Sequence, residues 1–260
     1  MRADILKSVF PICVALTCAP ATAAEPWAFN VVPYVWAAGS TTKIQHPAFP
    51  ITVETDTSFK EILENLDFGA MAAFEARKGR WGILLDALYV KVSEDAEVGI
   101  PQLGGARLPV DLSVRTFTGM AGLTYRVVDN SVGSLDLAAG PRYWSLRSDI
   151  GAAFPAGTPL PPGVPNSYDR SETVDWVDAM AGAKAVVHIA PRVTLNAHAM
   201  FGGGGSRFSS DSLGALGFGV GSQVSLLVGY RHLSAGIRRS NGLEVDTRMH
   251  GPILGLGVRF

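Results

Sequence analysis

Apolar residues recur at every second position along much of the chain, and this period predicts β-strands rather than helices. The pattern is plainest in GPILGLGVRF, residues 251–260, where one parity carries Leu254, Leu256, Val258 and Phe260. The segments 67–79 and 81–90 repeat it, each with one apolar face and one mixed face. The mixed faces are rich in Gly and Ala, unlike the polar solvent face of a soluble β-sandwich, which is the alternative.

Ten segments of this kind are separated by connections that alternate between short and long. The predicted strands cover 27–40, 67–79, 81–90, 110–127, 134–146, 173–189, 193–202, 213–220, 224–238 and 244–260. The short turns fall at 78–80, 128–133, 190–192 and 221–223, and the long loops at 41–66, 93–109, 147–172, 203–212 and 239–243. Such asymmetry is typical of outer-membrane barrels, with short periplasmic turns and long extracellular loops. About ten strands are predicted, with eight or twelve as alternatives.

The composition also favours a membrane-spanning sheet. Charged residues make up 17% of the chain, against about 25% in average proteins, and 29 residues are glycine. The longest uncharged run, 213–230, is interrupted by several glycines and by Ser222-Gln223, which favours two strands over a membrane helix. Strands that cross hydrocarbon must close on themselves, because an open edge leaves backbone groups unpaired. The predicted fold is therefore all-β: a closed antiparallel transmembrane β-barrel over 25–260.

Residues 1–24 have the features of a cleaved secretory signal peptide: a charged start, an apolar stretch at 9–19 and small residues before the cleavage site. Both cysteines, Cys13 and Cys18, lie inside it, so the mature chain offers no thiol for disulfides, catalysis or metal binding. A lipid anchor on Cys18 is the weaker alternative. The chain has 22 basic and 23 acidic residues, and loss of the leader brings its net charge near −2. This balance gives no reason to expect nucleic acid as a partner.

Aromatic residues cluster near the predicted strand ends, where a membrane barrel carries its interfacial girdles. We assign to these girdles Trp27, Phe29, Tyr34, Trp36, Trp81, Tyr89, Tyr125, Tyr143, Trp144, Trp176, Tyr230 and Phe260. Phe260 ends the last predicted strand, and such an ending resembles the signal that the barrel assembly machinery reads. The expected partners are therefore this machinery, outer-membrane lipids and lipopolysaccharide.

Charged residues on the mixed faces should point into the barrel. By parity these are Glu75, Arg77, Asp86, Asp136, Arg142, Asp178, Lys184 and Arg231. Four acids and four bases can pair across the interior, and unpaired charge there would be unfavourable. Two hypotheses remain open: a salt-bridged plug that stiffens the barrel, or a constricted channel that selects small polar solutes.

Two loops have features of their own. In the first, Ser58 and Glu61 form a predicted capping box, and Phe59, Ile62, Leu63 and Leu66 make one apolar face of a short helix. This helix should pack on the barrel mouth or enter the lumen, and use as a lid over a ligand site is the lesser alternative. The loop 151–165 is rich in Pro and should be extended.

Candidate chemistry is sparse. His232 with Ser234, and His250 with Asp246, could contribute to a lipid-modifying enzyme at the extracellular rim, but their spacing matches no catalytic motif. No His, Asp and Glu cluster has the spacing of metal ligands, so we expect neither catalysis nor a cofactor. GGGG at 202–205 lacks the strand and helix context of a phosphate loop.

Several segments resemble a family of Gram-negative outer-membrane β-barrel proteins, porin-like and of the small OmpA type. They are PYVWAAGS (33–40), residues 59–90, AAGPRYWSL (138–146), VGYRHL (228–233) and GPILGLGVRF (251–260). The resemblance implies an outer-membrane location and a barrel fold, and no activity or site residue comes with it. We expect a structural role or narrow passive permeation of small solutes, with lipid modification or surface interaction through the loops as the alternative.

Overall fold

The computed structural model describes residues 25–46, 49–100, 106–154, 166–238 and 244–260. The predicted signal peptide and most of the Pro-rich loop lie outside this part of the chain. The strands are β1 (Ala28–Trp36), β2 (Gly39–His46), β3 (Phe49–Thr57), β4 (Leu66–Lys78), β5 (Trp81–Ile100), β6 (Ala106–Asp129), β7 (Gly133–Ala153), β8 (Ser167–Ala190), β9 (Val193–Gly204), β10 (Phe208–Gly219), β11 (Val224–Arg238) and β12 (Glu244–Arg259). One helix, α1 (Phe59–Glu64), joins β3 to β4.

Ten of the strands close into an antiparallel ring. From β4 to β12 each strand pairs with the next, and β1 pairs with both β4 and β12. At the seam the N–H of Phe29 donates to the carbonyl of Phe260 at 2.8 Å, and the N–H of Phe260 donates to the carbonyl of Phe29 at 3.1 Å. The predicted closed barrel of about ten strands is confirmed, and the soluble sandwich is wrong.

The long loops were predicted less well. The segment 41–66 contains α1 and also β2 and β3, which form a hairpin. The β2 strand of this hairpin pairs with the extracellular part of β12, Glu244–His250. In the segments 93–109 and 147–172, the described residues mostly continue the strands β5 to β8, which reach 20 to 24 residues in length. The segment 203–212 is likewise mostly strand. The prediction assumed that each strand ends where it leaves the hydrocarbon. In the structure the strands continue beyond the membrane, because the backbones of polar residues there still pair with the neighbouring strand.

The start of helix α1 is as predicted, but none of its residues is buried and Leu66 lies in β4. Its capping box is formed, since Glu61 N–H donates to Ser58 Oγ at 3.3 Å and Ser58 N–H donates to Glu61 Oε2 at 2.7 Å. The bond from the Ser58 backbone lowers the pKa of the Glu61 carboxyl. A lowered pKa means that the ionised form stabilises the helix start, and this support is lost as the pH falls through that pKa.

The outer surface carries a belt of exposed apolar side chains, including Val35, Ile83, Leu123, Leu254 and Leu256. Aromatic pairs border it at the side of the short turns (Phe29 with Phe260, Trp81 with Tyr125) and at the other side (Phe68 with Tyr89, Phe117 with Tyr143). An apolar belt between two aromatic girdles is the lipid-facing surface of an outer-membrane barrel, so the protein resides in that membrane. In the described residues, no helix is long and apolar enough to span a membrane.

Four aromatic residues were assigned to the girdles wrongly. Trp36, Trp144 and Tyr34 are buried inside the barrel, and Trp176 stacks on Trp144 with ring centroids 5.4 Å apart. Their parity matches that of the interior charges on the same strands, for example Trp144 with Arg142. Whether these side chains face the lipid or the interior therefore follows from their parity in the strand and not from their position near a strand end.

The close approach of β6 and β7 provides a test of the packing. A Cβ atom on Gly140 would lie 2.6 Å from Gly122 Cα and against the carbonyl of Ala121, so no side chain fits there. We expect Gly140→Val to lower the free energy of unfolding by roughly 1–3 kcal/mol, measured by urea unfolding in lipid vesicles with gel mobility as the readout. Gly214→Val is the control, since nothing lies within 4 Å of its Cβ position. Equal losses in both variants would contradict the prediction.

Candidate functional site in the barrel interior

The eight charged residues selected by parity all project into the barrel. They lie on β4 (Glu75, Arg77), β5 (Asp86), β7 (Asp136, Arg142), β8 (Asp178, Lys184) and β11 (Arg231). Asp136, Arg142, Asp178 and Arg231 are at most 2% exposed. Charges this deeply buried need partners, and most of them are arranged in two layers of ion pairs across the barrel.

The upper layer is built around Arg231 and Asp211, on the adjacent strands β11 and β10. Arg231 Nε donates to Asp211 Oδ1 at 3.0 Å, and Arg231 Nη2 donates to Oδ2 at 2.8 Å. This two-pronged geometry is the strongest form of an arginine–carboxylate pair. Arg142, from β7 on the far side, donates from Nη2 to the same Oδ2, and His198 Nε2 lies 3.2 Å from Oδ1. Asp211 thus joins four strands.

Arg231 also connects to β1 and β5. Its Nη2 donates to Asp86 Oδ2, and its Nη1 donates to the hydroxyl oxygen of Tyr34 at 2.7 Å. The Tyr34 hydroxyl in turn donates to Asp86 Oδ1 at 2.7 Å. The guanidinium carbon lies 5.4 Å from the ring centre of Trp36, within the range of cation–π attraction. With two arginines and two carboxylates, this layer is balanced in charge when His198 is neutral.

The lower layer lies nearer the short turns. Lys184 of β8 donates to Glu75 of β4 across the barrel. Beside this pair, Arg77 Nη2 donates to Asp136 Oδ2 at 2.6 Å, and Arg126 Nε donates to Asp136 Oδ1 at 2.8 Å. The two layers together involve every barrel strand except β12, whose buried residues are Gly251, Ile253, Gly255 and Gly257.

Asp178 is held differently from the other acids. It accepts hydrogen bonds from the Ser206 N–H at 2.7 Å and from Trp176 Nε1 at 3.1 Å. Its register partner on β7 is Arg142, whose guanidinium reaches instead to Asp211. Asp178 thereby fixes the turn between β9 and β10 to the interior of the barrel.

Four members of the layers were missed from the sequence. Asp211 was placed in a loop because the predicted strand began at residue 213, and Tyr34 was assigned to a girdle. His198 and Arg126 share the parity of interior positions on their strands, as the burial of their neighbours Met200 and Thr124 shows. A parity count carried two residues past each predicted strand end would have found Asp211.

The described residues line two cavities inside the barrel. The first, of about 150 Å³, lies between the two layers and is lined by Asp86, Asp211, Lys184 and Glu75 among others. The second, of about 460 Å³, lies on the extracellular side, beneath α1. Tyr34 lines both, so its ring separates them.

The histidine pairs do not assemble into a catalytic site. The hydroxyl of Tyr230 lies 2.8 Å from His250 Nδ1, and the His250 ring stacks against that of His232 at the edge of the lipid-facing belt. Ser234 Oγ bonds Ser210 Oγ, and Asp246 pairs with Arg207. Within the described part of the chain, no group of three His, Cys, Asp or Glu side chains could hold a metal ion.

Phe260 lies at the seam, where it pairs with Phe29 by backbone bonds and stacks on its ring at 5.6 Å between centroids. Its recognition by the barrel assembly machinery stays a prediction.

The upper layer predicts that the loss of the single charge on Asp211 strongly lowers the stability of the protein. Asp211→Asn removes the only carboxylate that Arg142 contacts among the described residues, and it weakens the pair with Arg231. We expect a loss of roughly 3–5 kcal/mol in the free energy of unfolding, measured by urea unfolding in vesicles. Asp129→Asn is the control, because Asp129 is 67% exposed and pairs with Arg126 only at the rim. A loss below about 1 kcal/mol for Asp211→Asn would show that water already reaches the layer.

The sequence matches no protein-family model and no curated protein. Solved structures with a similar fold include the outer-membrane protease OmpT of Escherichia coli, 8% identical over 90% of this chain and 97% of that chain, with a TM-score of 0.48. The translocator domain of the autotransporter NalP of Neisseria meningitidis is 11% identical over 90% of this chain and 88% of that chain, with a TM-score of 0.44. Ail, the attachment invasion locus protein of Yersinia pestis, is 12% identical over 91% of this chain and 99% of that chain, with a TM-score of 0.34. These identities and TM-scores are too low to indicate a shared activity.

Proposed function

We propose that this protein is an outer-membrane barrel with a closed interior, whose role is structural rather than that of an open pore. The observation that carries the proposal is the upper layer of charges. Arg142, Asp211 and Arg231 come from three strands, meet across the barrel and are at most 2% exposed. A passage wide enough for hydrated solutes would leave such side chains wet.

The size of the barrel supports the same role. Side chains fill the interior when there are about eight strands, and ten strands add little width. Above the charges, a buried apolar cluster that includes Trp36, Leu88, Trp144 and Leu233 narrows the interior further. The interior is thus occupied by two kinds of packing, one ionic and one apolar.

Narrow permeation is the second candidate, and one observation favours it. The cavity of about 150 Å³ between the layers has room for several water molecules. The side chains of His198, Lys184 and Glu75 are each 20–23% exposed, so this part of the interior is less tightly sealed. A chain of waters through it would conduct only small ions.

Conductance in a planar lipid bilayer separates these two candidates. We expect the refolded wild-type protein to be silent, and the variant Asp211→Ala/Arg231→Ala to give discrete steps. This variant removes one acid and one base, so it widens the interior without changing the net charge. The control Lys43→Ala/Glu54→Ala removes a partly exposed pair from the β2–β3 hairpin and should stay silent. Steps in the wild-type protein would contradict the closed interior and favour permeation.

We also propose that lipopolysaccharide binds through its phosphates to one row of cations. Lys91, Arg115 and Arg147 are direct register partners on β5, β6 and β7, and they point outward. They lie two residues beyond the girdle residues Tyr89 and Phe117 on the extracellular side. Like charges directly opposite one another repel, and a bound phosphate would relieve this repulsion.

The neighbouring acids leave this row with a surplus of positive charge. Asp67 lies 2.7 Å from Lys91, and Asp149 lies 3.0 Å from Arg147 and 3.5 Å from Arg115. Among the described residues, two carboxylates lie within 4 Å of these three cations, at the level of the outer headgroups.

The triple variant Lys91→Gln/Arg115→Gln/Arg147→Gln tests the row. We expect several-fold less lipopolysaccharide to remain bound after purification in mild detergent, measured as lipid phosphate per protein. The control is Lys43→Gln/Arg170→Gln/Arg238→Gln, which removes three cations that lie elsewhere on the extracellular strands. Equal retention by the two triple variants would contradict the assignment.

A further inference from the structure

The barrel wall is interrupted between β1 and β4 in its extracellular half. The two strands pair from Ala28 with Arg77 to Pro33 with Ala72. Above this point β1 follows β12 and leads into the β2–β3 hairpin, which pairs with β12 as well. Among the described residues, no strand pairs with the remaining edge of β4, Leu66–Met71. We call this opening the β1–β4 slot.

The slot opens within the lipid-facing belt. Val35 borders it and lies in one row with Leu254 and Val228, two residues below Tyr230 of the upper girdle. On the other side, Ala70 lies two residues below the girdle residue Phe68. Val35 is 63% exposed, so the β2–β3 hairpin does not cover it. The slot therefore faces the hydrocarbon of the outer leaflet.

Behind the slot lies the larger cavity, of about 460 Å³, which falls within the range of small-molecule sites. Val35, which points outward, and Met71 and Leu88, which point inward, line this same cavity. The lining of the cavity therefore extends from the interior of the barrel to Val35 at the border of the slot.

The lining of the cavity is almost entirely apolar. Its roof is the apolar face of α1, with Phe59, Ile62 and Leu63, and its floor is Tyr34 with Trp36. The polar lining residues are Ser40, Thr57, Thr116 and Glu94, and no described lining residue is a cation. Such a surface favours hydrocarbon and offers no counter-charge to an acid headgroup.

We propose that this cavity binds the acyl chain of an outer-leaflet lipid, which enters sideways through the β1–β4 slot while its headgroup stays at the membrane surface. The slot places lipid chains directly beside an apolar space, so a chain needs no passage through water. The helix α1 lines the top of the cavity, and Tyr34 lines its bottom. This inference is independent of whether the interior conducts ions.

Photochemical crosslinking distinguishes a chain inside the cavity from one on the outer surface. The protein is reconstituted in bilayers that contain phosphatidylcholine with a diazirine in one acyl chain, irradiated, and mapped by tandem mass spectrometry. We expect adducts on Met71, Leu88, Val90 and Val114, which line the cavity. Adducts confined to outward residues such as Ala70 and Phe68 would overturn the proposal.

A variant that fills the cavity provides the first control. A Cβ on Gly69 would meet nothing closer than 3.8 Å, and Gly69 lines the cavity, so Gly69→Phe should fold and occupy the space. We expect interior adducts to fall about tenfold. Gly214→Phe places the same ring on the lipid-facing side, where nothing lies within 4 Å, and should leave them unchanged. Heat-dependent gel mobility confirms that both variants are folded.

A blocked slot tests the route. Residues 25–260 contain no cysteine, so Val35→Cys can be modified selectively with a bulky maleimide. We expect this to remove the interior adducts, whereas the same modification of Val228→Cys, in the same row on β11, should not. Undiminished adducts in the blocked Val35→Cys protein would overturn the lateral route.

A second probe tests the source of the chain. Free palmitic acid with the same diazirine is compared with the phosphatidylcholine probe in otherwise identical bilayers. Interior adducts from the phosphatidylcholine support a chain that is still attached to its headgroup. Interior adducts from the free acid alone would overturn that assignment.

Discussion

In hydrocarbon, a backbone N–H or C=O without a hydrogen-bond partner is strongly unfavourable, so every such group must be paired. The rest of this structure depends on that requirement. The ring closes where β1 meets β12, through the paired backbones of Phe29 and Phe260. Closure brings the charged side chains of seven strands together in one interior. At the β1–β4 slot this requirement is not met by strand pairing over a few residues near the extracellular girdle, because Tyr34 and Trp36 do not pair with β4.

The interior answers a second constraint, the unfavourable burial of charge. Arg231 and Asp211 satisfy each other with two hydrogen bonds, and Arg142, Asp86 and Tyr34 complete the network. The same network holds the Tyr34 ring, which separates the apolar cavity above from the smaller cavity below. The charges thereby support the floor of the proposed acyl-chain site as well as closing the barrel.

Much of the fold could be predicted because the two-residue period assigns a face to each residue and the alternation of short and long connections orders the strands. The eight interior charges follow from the same parity. Other features could not be predicted in this way. The strand extensions and the β2–β3 hairpin have polar residues, and a hydrophobic pattern cannot separate a polar strand from a loop. Tyr34 and Trp36 were misplaced because aromatic residues suit both a girdle and a packed interior.

The sequence by itself determined the all-β period, the inward and outward faces and the capping box of α1, because each depends on neighbours within a strand or a helical turn. Only the tertiary structure decided which charges meet. Arg142 and Asp211 are 69 residues apart and Arg231 and Asp86 are 145 apart, and these pairs depend on ring closure and strand stagger. The slot was likewise decided by tertiary structure, because it arises where β1 keeps its pairing with β12 and loses its pairing with β4.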